Sequence, residues 1–260
     1  MGRLGLSNRI AVVSGAAQGI GAAVVRALAE QGTQVVAMDI NADRLAEFAA
    51  GMPAHQQVLA HPLDVRDRAS VERAIDSVER EVGPVEMLVN VAGILRIGPA
   101  LDITDEDWAT VFAVNTFGTF CLSRAVARRM MPRGHGAIVT IASNATGVVR
   151  KNMAAYAASK AASSMFTKCL GLELAAYGIR CNVVSPGSTD TPMQQGMWTG
   201  GIGRRDVIEG CLADHKVGVP LRRLADPADV AEAVIFLLSD QARHITMGDV
   251  YVDGGASLRA

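Results

Sequence analysis

No run of lysine and arginine occurs in this chain, and its 25 basic and 26 acidic residues leave a formal net charge of −1. The electrostatic footprint of a nucleic-acid or anionic-membrane binder is therefore missing. Nor is there an apolar run approaching the roughly 18 residues that a membrane-spanning helix needs. The four cysteines, Cys121, Cys169, Cys181 and Cys211, never fall at metal-knuckle spacing, and the five histidines are equally scattered. No metal site is expected. Cys121 and Cys169, among apolar helical neighbours, read as packing residues. The N-terminus reaches its first apolar strand almost at once and shows no signal-peptide pattern. Reduced cysteines without such a signal make the cytoplasm the expected compartment. No Ser/Pro/Gly linker, charge block or internal repeat divides the chain, so residues 1–260 are expected to form one domain.

What is present is an alternation of short apolar strands and amphipathic helices. Strands are predicted at Ile10–Ser14, Gln34–Asp39, Val58–Leu63, Val85–Asn90, Ala137–Ile141, Ile179–Val184 and Gly248–Val252. Helices are predicted near Ile20–Gln31, after an Asn41 cap, over Asp67–Val82, and as two separate helices near Asp105–Val114 and Thr116–Met131. A further helix carries Tyr156 and Lys160 and runs on to Tyr177. This order predicts an α/β fold with a parallel sheet covered on both faces. The least regular stretch, about 192–220, is rich in glycine and polar residues and reads as a mobile, substrate-covering segment.

Gly15, Gly19 and Gly21 lie between the first strand and the first helix. Glycines there let backbone amides approach a pyrophosphate, and the helix N-terminus behind them carries partial positive charge. Asp39 ends the second strand. A carboxylate at that place accepts hydrogen bonds from an adenosine ribose diol and repels a 2′-phosphate. Ile40 and Asn41 follow it with no arginine, and Arg44 lies a turn into the next helix. The expected cofactor is NAD.

Tyr156 and Lys160 stand four apart in an Ala-rich helical stretch, so phenol and ammonium share one face. A free tyrosine, with a pKa of about 10, is a poor base at neutral pH. A nearby cation favours the phenolate, and a bound nicotinamide ring would add a second positive centre. On its own the pair is a short pattern that exposed helix faces also show.

Together these pieces resemble the short-chain dehydrogenase/reductase family. The resemblance spans the chain through Gly15/Gly19/Gly21, Asp64-Val65, Asn90-Val91-Ala92-Gly93, Asn115, Ser143, Tyr156/Lys160 and Pro186-Gly187. Val91 is a small departure from the common Asn-Asn-Ala-Gly run. The resemblance implies a Rossmann-type, doubly wound, seven-stranded parallel sheet with helices on both faces. It implies that Ser143 binds the reacting oxygen, Tyr156 is the acid/base, Lys160 lowers the phenol pKa, and Asn115 organises a proton-relay water. For the cofactor it implies contacts from Gly15, Gln18, Gly19, Ile20, Gly21, Asp39, Ile40, Asp64, Val65, Asn90, Ala92, Gly93, Tyr156, Lys160, Pro186, Gly187, Thr189 and Thr191. It also implies a homotetramer, built on helix positions such as Ala125, Ala161, Ala162, Met165 and Phe166.

A narrower resemblance runs through Ala92–Arg96, Arg150–Tyr156, Arg180–Thr191, Met193-Gln194, Trp198 and the tail His244–Ala256. These segments are similar to the branch of the family that oxidises 2,3-dihydro-2,3-dihydroxybenzoate in catecholate siderophore pathways. That implies a small carboxylic acid substrate, with Arg96 or Arg150 as its cation and Ser143, Met193, Gln194 and Trp198 around the ring. A sister chemistry on 2,3-dihydro-3-hydroxyanthranilate needs the same groups and stays open. Val149 stands where proline is expected in the siderophore enzymes, which bears on pocket shape. A non-catalytic NAD-binding sensor would need only the nucleotide half.

Overall fold

The computed structural model describes residues 4–198 and 203–258. Seven strands form one parallel sheet: β1 (Ile10–Ser14), β2 (Gln34–Asp39), β3 (Val58–Pro62), β4 (Val85–Asn90), β5 (Gly136–Ile141), β6 (Ile179–Pro186) and β9 (Asp249–Val252). Their order is β3-β2-β1-β4-β5-β6-β9. All six pairings within it are parallel. The chain winds outward from β1 to β3, then returns to β4 and winds the other way. That reversal leaves a crevice at the carboxyl ends of β1 and β4, where ligands of such sheets bind.

Side chains on one strand alternate between faces, and both faces are buried. Ala11 and Val13 join a core with α1 (Gly19–Glu30) and α9 (Pro227–Leu238). Ile10 and Val12 join the opposite core with α3 (Arg68–Glu81) and α5 (Thr119–Met130). Helix starts follow the caps: Asn41 accepts from Arg44 N ahead of α2 (Ala42–Ala50), and Asp67 accepts from Ala69 N and Ser70 N ahead of α3.

The predicted break between the fourth and fifth helical stretches is absent. Helix α4 (Asp105–Phe112) continues through a π-helical turn, Ala113–Gly118, directly into α5. The wider turn adds one residue to the helical circuit, a change often found at functional sites. Asn115 lies inside it. Helix α6 (Ala154–Leu174) ends in a 3-10 turn, Ala175–Tyr177, as the sequence pattern anticipates. Within the expected covering segment lie α7 (Pro192–Gln195), α8 (Arg204–Glu209) and a hairpin of β7 (Gly210–Cys211) and β8 (Lys216–Val217). Positions 199–202 of that expectation lie outside the described residues.

Candidate active site

A cleft of about 770 Å³ opens at the strand ends. Gly15, Gln18, Gly19, Ile20 and Gly21 line one end of it. Gly15 adopts φ 66°, and a Cβ there would come 2.7 Å from Ala92 Cα. A Cβ on Gly21 would come 2.0 Å from the Gly15 carbonyl oxygen. Only glycine permits this turn, which sets the first-turn amides of α1 against the cleft. Asp39 Oδ2 accepts from Ala17 N at 3.0 Å, and its Oδ1 accepts from Asn41 N at 2.9 Å. The carboxylate is thereby fixed at the cleft wall beside the exposed Ile40. Arg44 reaches back from α2 and donates to the Gln18 side chain, a contact the sequence pattern gives no sign of. A dinucleotide fits this set of groups: amide donors at a glycine turn and helix N-terminus, and a pinned carboxylate acceptor.

Asp64 and Val65 also line the cleft. A hydrogen bond from Arg66, at 2.7 Å from Nη2, holds the Asp64 carboxyl below its ordinary range. Val65 packs where Gly118 leaves room, since a Cβ on Gly118 would come 2.6 Å from Val65 Cγ2. Ala92, Gly93, Pro186, Gly187, Thr189 and Thr191 complete this half. Thr191 caps α7 by accepting from Gln194 N at 3.2 Å. Asn90 does not line the cleft. It is buried at the end of β4, where its amide donates to Ser123 Oγ at 2.9 Å and Thr140 Oγ1 at 3.3 Å. It therefore supports the site from beneath, because the last strand residue turns inward between β4, β5 and α5.

Ser143, Tyr156 and Lys160 meet in the middle of the cleft. Ser143 follows β5 and caps the next turn, accepting from Ala145 N at 3.1 Å. Burial pushes the Tyr156 phenol above its ordinary range, and a hydrogen bond with Ser143 opposes that rise. Lys160 lies 6.0 Å from the Tyr156 ring centroid. Its ammonium donates to the Ile141 carbonyl at 2.8 Å, and burial brings its pKa down to about 8. Burial is the leading cause for both groups, so a second positive centre such as a nicotinamide ring would be needed to favour the phenolate.

Asn115 is fully buried and does not line the cleft. Its Oδ1 accepts from Ile94 N at 2.8 Å, while Nδ2 donates to Ile94 O at 3.0 Å and to Ser159 Oγ at 3.0 Å. A Cβ built on Gly93 would come 3.2 Å from Lys160 Nζ and 3.3 Å from Asn115 Oδ1. Glycine at 93 thus keeps lysine and asparagine facing one shared point.

The outer half of the cleft is lined by Arg96, Arg150, Met193, Gln194, Trp198 and, unforeseen in the sequence, Met197, Val207, Asp214 and Lys216. Arg96 is exposed and pairs with Asp107 at 3.0 Å. Arg150 is half-buried, and burial lowers its pKa while the charge of Asp253 opposes that. Trp198 Nε1 is buried with no hydrogen-bond partner among the described residues. Val149 is 96 % exposed and does not line the cleft, so a departure from proline there leaves the pocket wall unchanged. Asp253 also escaped sequence reasoning. It accepts from Asn144 Nδ2 at 3.3 Å and Ser257 N at 2.9 Å, tying the tail to the Ser143 turn.

Comparison with known proteins agrees with this geometry. The profile of the adh_short_C2 family, described as enoyl-(acyl carrier protein) reductase, matches residues 15–257. The 2,3-dihydro-2,3-dihydroxybenzoate dehydrogenase of Bacillus subtilis (strain 168) is 52 % identical over 259 residues, covering 99 % of each chain. The vibriobactin-specific 2,3-dihydro-2,3-dihydroxybenzoate dehydrogenase of Vibrio cholerae is 42 % identical, covering 98 % of each. Among solved structures, that of gox2181 superposes with a TM-score of 0.91 at 34 % identity, covering 98 % of each chain. A gluconate 5-dehydrogenase from Burkholderia cenocepacia, in complex with NADP and tartrate, gives 0.89 at 31 % identity, covering 99 % of this chain and 98 % of that one. By the glycine turn, the Ser143–Tyr156–Lys160 cluster and these full-length similarities, the chain belongs to the short-chain dehydrogenase/reductase family, whose dehydrogenases use a nicotinamide cofactor.

Proposed function

We propose that the protein oxidises 2,3-dihydro-2,3-dihydroxybenzoate to 2,3-dihydroxybenzoate with NAD. One observation carries the reading: a Ser–Tyr–Lys cluster shares a cleft with the half-buried Arg150, which has no ion pair or hydrogen bond from its side chain among the described residues. The first handles a carbinol, and the second suits a carboxylate. The B. subtilis and V. cholerae relatives bear this activity in their names and support it.

When bound, NAD supplies the hydride acceptor at nicotinamide C4. Asp39 holds the ribose diol and disfavours a 2′-phosphate, with Arg44 turned to Gln18. Ser143 orients the substrate hydroxyl, and Tyr156 takes its proton as the carbinol C–H bond gives up hydride. Lys160 keeps a positive charge beside the phenol below about pH 8. Asn115 fixes Ile94 and faces Lys160 Nζ across Gly93, where a relay water would be held. The ring ketone so formed tautomerises, a proton leaving the ring carbon and one reaching the ketone oxygen, and the resulting aromatic catechol draws the oxidation forward. Met193 and Trp198 wall the ring.

The assembly we infer is a homotetramer in the cytoplasm. Met165, Leu172, Phe117 and Tyr177, exposed on the α5–α6 side, fit a subunit contact, whereas Ala125 is buried within the chain. Light scattering at the mass of a monomer would contradict that assembly.

The test is purified protein with the dihydrodiol acid and with 2,3-dihydro-3-hydroxyanthranilate, each with NAD and NADP, followed by NADH or NADPH absorbance. The expected result is fastest turnover of the dihydrodiol acid with NAD. Equal or faster turnover of the amino acid would move the assignment to the sister chemistry. NAD binding without turnover of either acid would favour a sensor.

A further inference from the structure

Six cations line the cleft, and four are already engaged. Arg96 pairs with Asp107 at 3.0 Å, Arg66 with Asp64 at 2.7 Å and Lys151 with Asp214 at 2.8 Å. Lys160 donates to the Ile141 carbonyl. Only Arg150 and Lys216 have neither an ion pair nor a side-chain hydrogen bond among the described residues.

Lys216 is placed by the β7–β8 hairpin, in which Gly210 faces Val217 and Cys211 faces Lys216. The connection runs through a 3-10 turn, Leu212–Asp214, and through His215 at φ 52°. Neighbours on a strand point to opposite sides. Val217 is 43 % exposed, while Lys216 is half-buried and lines the cleft. Lys151 fastens the hairpin over the site, donating to Ala213 O at 3.1 Å and to Asp214 Oδ1 at 2.8 Å. Since Lys151 follows Arg150 directly, this clamp fixes where Lys216 stands relative to Arg150. Burial first, and then the Arg150 charge, push the Lys216 ammonium below its ordinary range, with Cys211 and Asp214 opposing.

Two like charges in a partly desolvated cleft cost free energy until an anion lies with them. A carboxylate suits both: its two oxygens offer about four acceptor sites, enough for the guanidinium fork and for an ammonium. We propose that Lys216, delivered by the hairpin, and Arg150 together form the receptor for the substrate's ring carboxylate. This rests on the dihydrodiol-acid reading and extends it to a residue some 60 positions from Tyr156 in the chain.

The test compares wild type, Lys216→Met and Lys216→Arg on two substrates, the dihydrodiol acid and the same cyclohexadiene diol without its carboxylate. Lys216→Met is expected to raise KM for the acid about tenfold or more, the loss of one charge-assisted contact. Its KM for NAD, its kcat and its KM for the neutral diol should stay near wild type, and Lys216→Arg should recover most of the loss. An unchanged KM for the acid, or an equal rise for the neutral diol, would overturn the proposal while leaving the function intact. If wild type does not oxidise the acid, the functional reading falls by itself. Calorimetry with 2,3-dihydroxybenzoate and catechol then decides the receptor. Weaker binding of the carboxylate alone in Lys216→Met would uphold it, and equal or absent binding would overturn it.

Discussion

Replacing Lys160 by methionine should abolish most activity and change stability by an amount that depends on pH. The ammonium is 5 % exposed, and its pKa falls from 10.5 to about 8 through burial. The folded chain thus binds fewer protons than the unfolded chain between those two values. A depressed pKa gives a stability contribution present above the unfolded pKa and lost as pH falls through the folded one. At neutral pH the wild type therefore carries a penalty of about 3 kcal/mol, since each pH unit between the two values costs about 1.4 kcal/mol. Methionine has no such penalty, but it leaves the Ile141 carbonyl without its lysine donor, a loss of about 1–3 kcal/mol. The absolute difference at about pH 7 is then small. Its pH dependence is not: wild type should gain about 2 kcal/mol on Lys160→Met between about pH 7 and pH 9.5. Tyr156 titrates in both proteins, so it largely drops out of the comparison. Urea unfolding at fixed protein concentration and both pH values reads this directly, with oxidation assayed in parallel. A constant difference across that range would refute the buried-charge argument, whatever the variant's activity.

Asp39→Ala should raise KM for NAD about tenfold or more and narrow the preference over NADP, since a charged acceptor for the ribose is lost. Steady-state kinetics with both cofactors checks this, and an unchanged ratio would point to Arg44 and Gln18 as the discriminating pair. Gly21→Ala brings a Cβ within 2.0 Å of the Gly15 carbonyl oxygen and should cost about 1–3 kcal/mol as well as NAD affinity. Thermal unfolding with and without NAD measures both effects, and wild-type values for both would contradict the close turn.

The sheet was legible in the sequence because each strand is a short apolar run bounded by turn residues, and such runs mark buried parallel strands. The helix over Asp105–Met130 was harder. Residues Ala113–Gly118 look like a break between two helices, and the extra residue of a π-turn leaves no distinct periodicity to read. Motif residues with local spacing, such as Gly15–Gly21 and Tyr156–Lys160, were found readily. Asn90 shares its motif with cleft-lining neighbours, but strand alternation turns it into the core. Arg96 and Arg150 look alike in sequence, and only the fold brings Asp107 against the first. Lys216 had no signal at all. A lysine near a glycine-rich stretch reads as a solvated charge until the hairpin places it in the cleft wall.

In the proposed function, Tyr156 accepts the proton of a ring alcohol whose oxidation ends in an aromatic acid. The most direct measurement follows NADH and 2,3-dihydroxybenzoate together, for wild type and Tyr156→Phe given the dihydrodiol acid and NAD. Wild type should form the two products in equal amounts. Tyr156→Phe should lose roughly 100-fold or more in kcat, the scale of a general base, with NAD still bound. Near-wild-type turnover by Tyr156→Phe, or NADH formed without the aromatic acid, would contradict the claim.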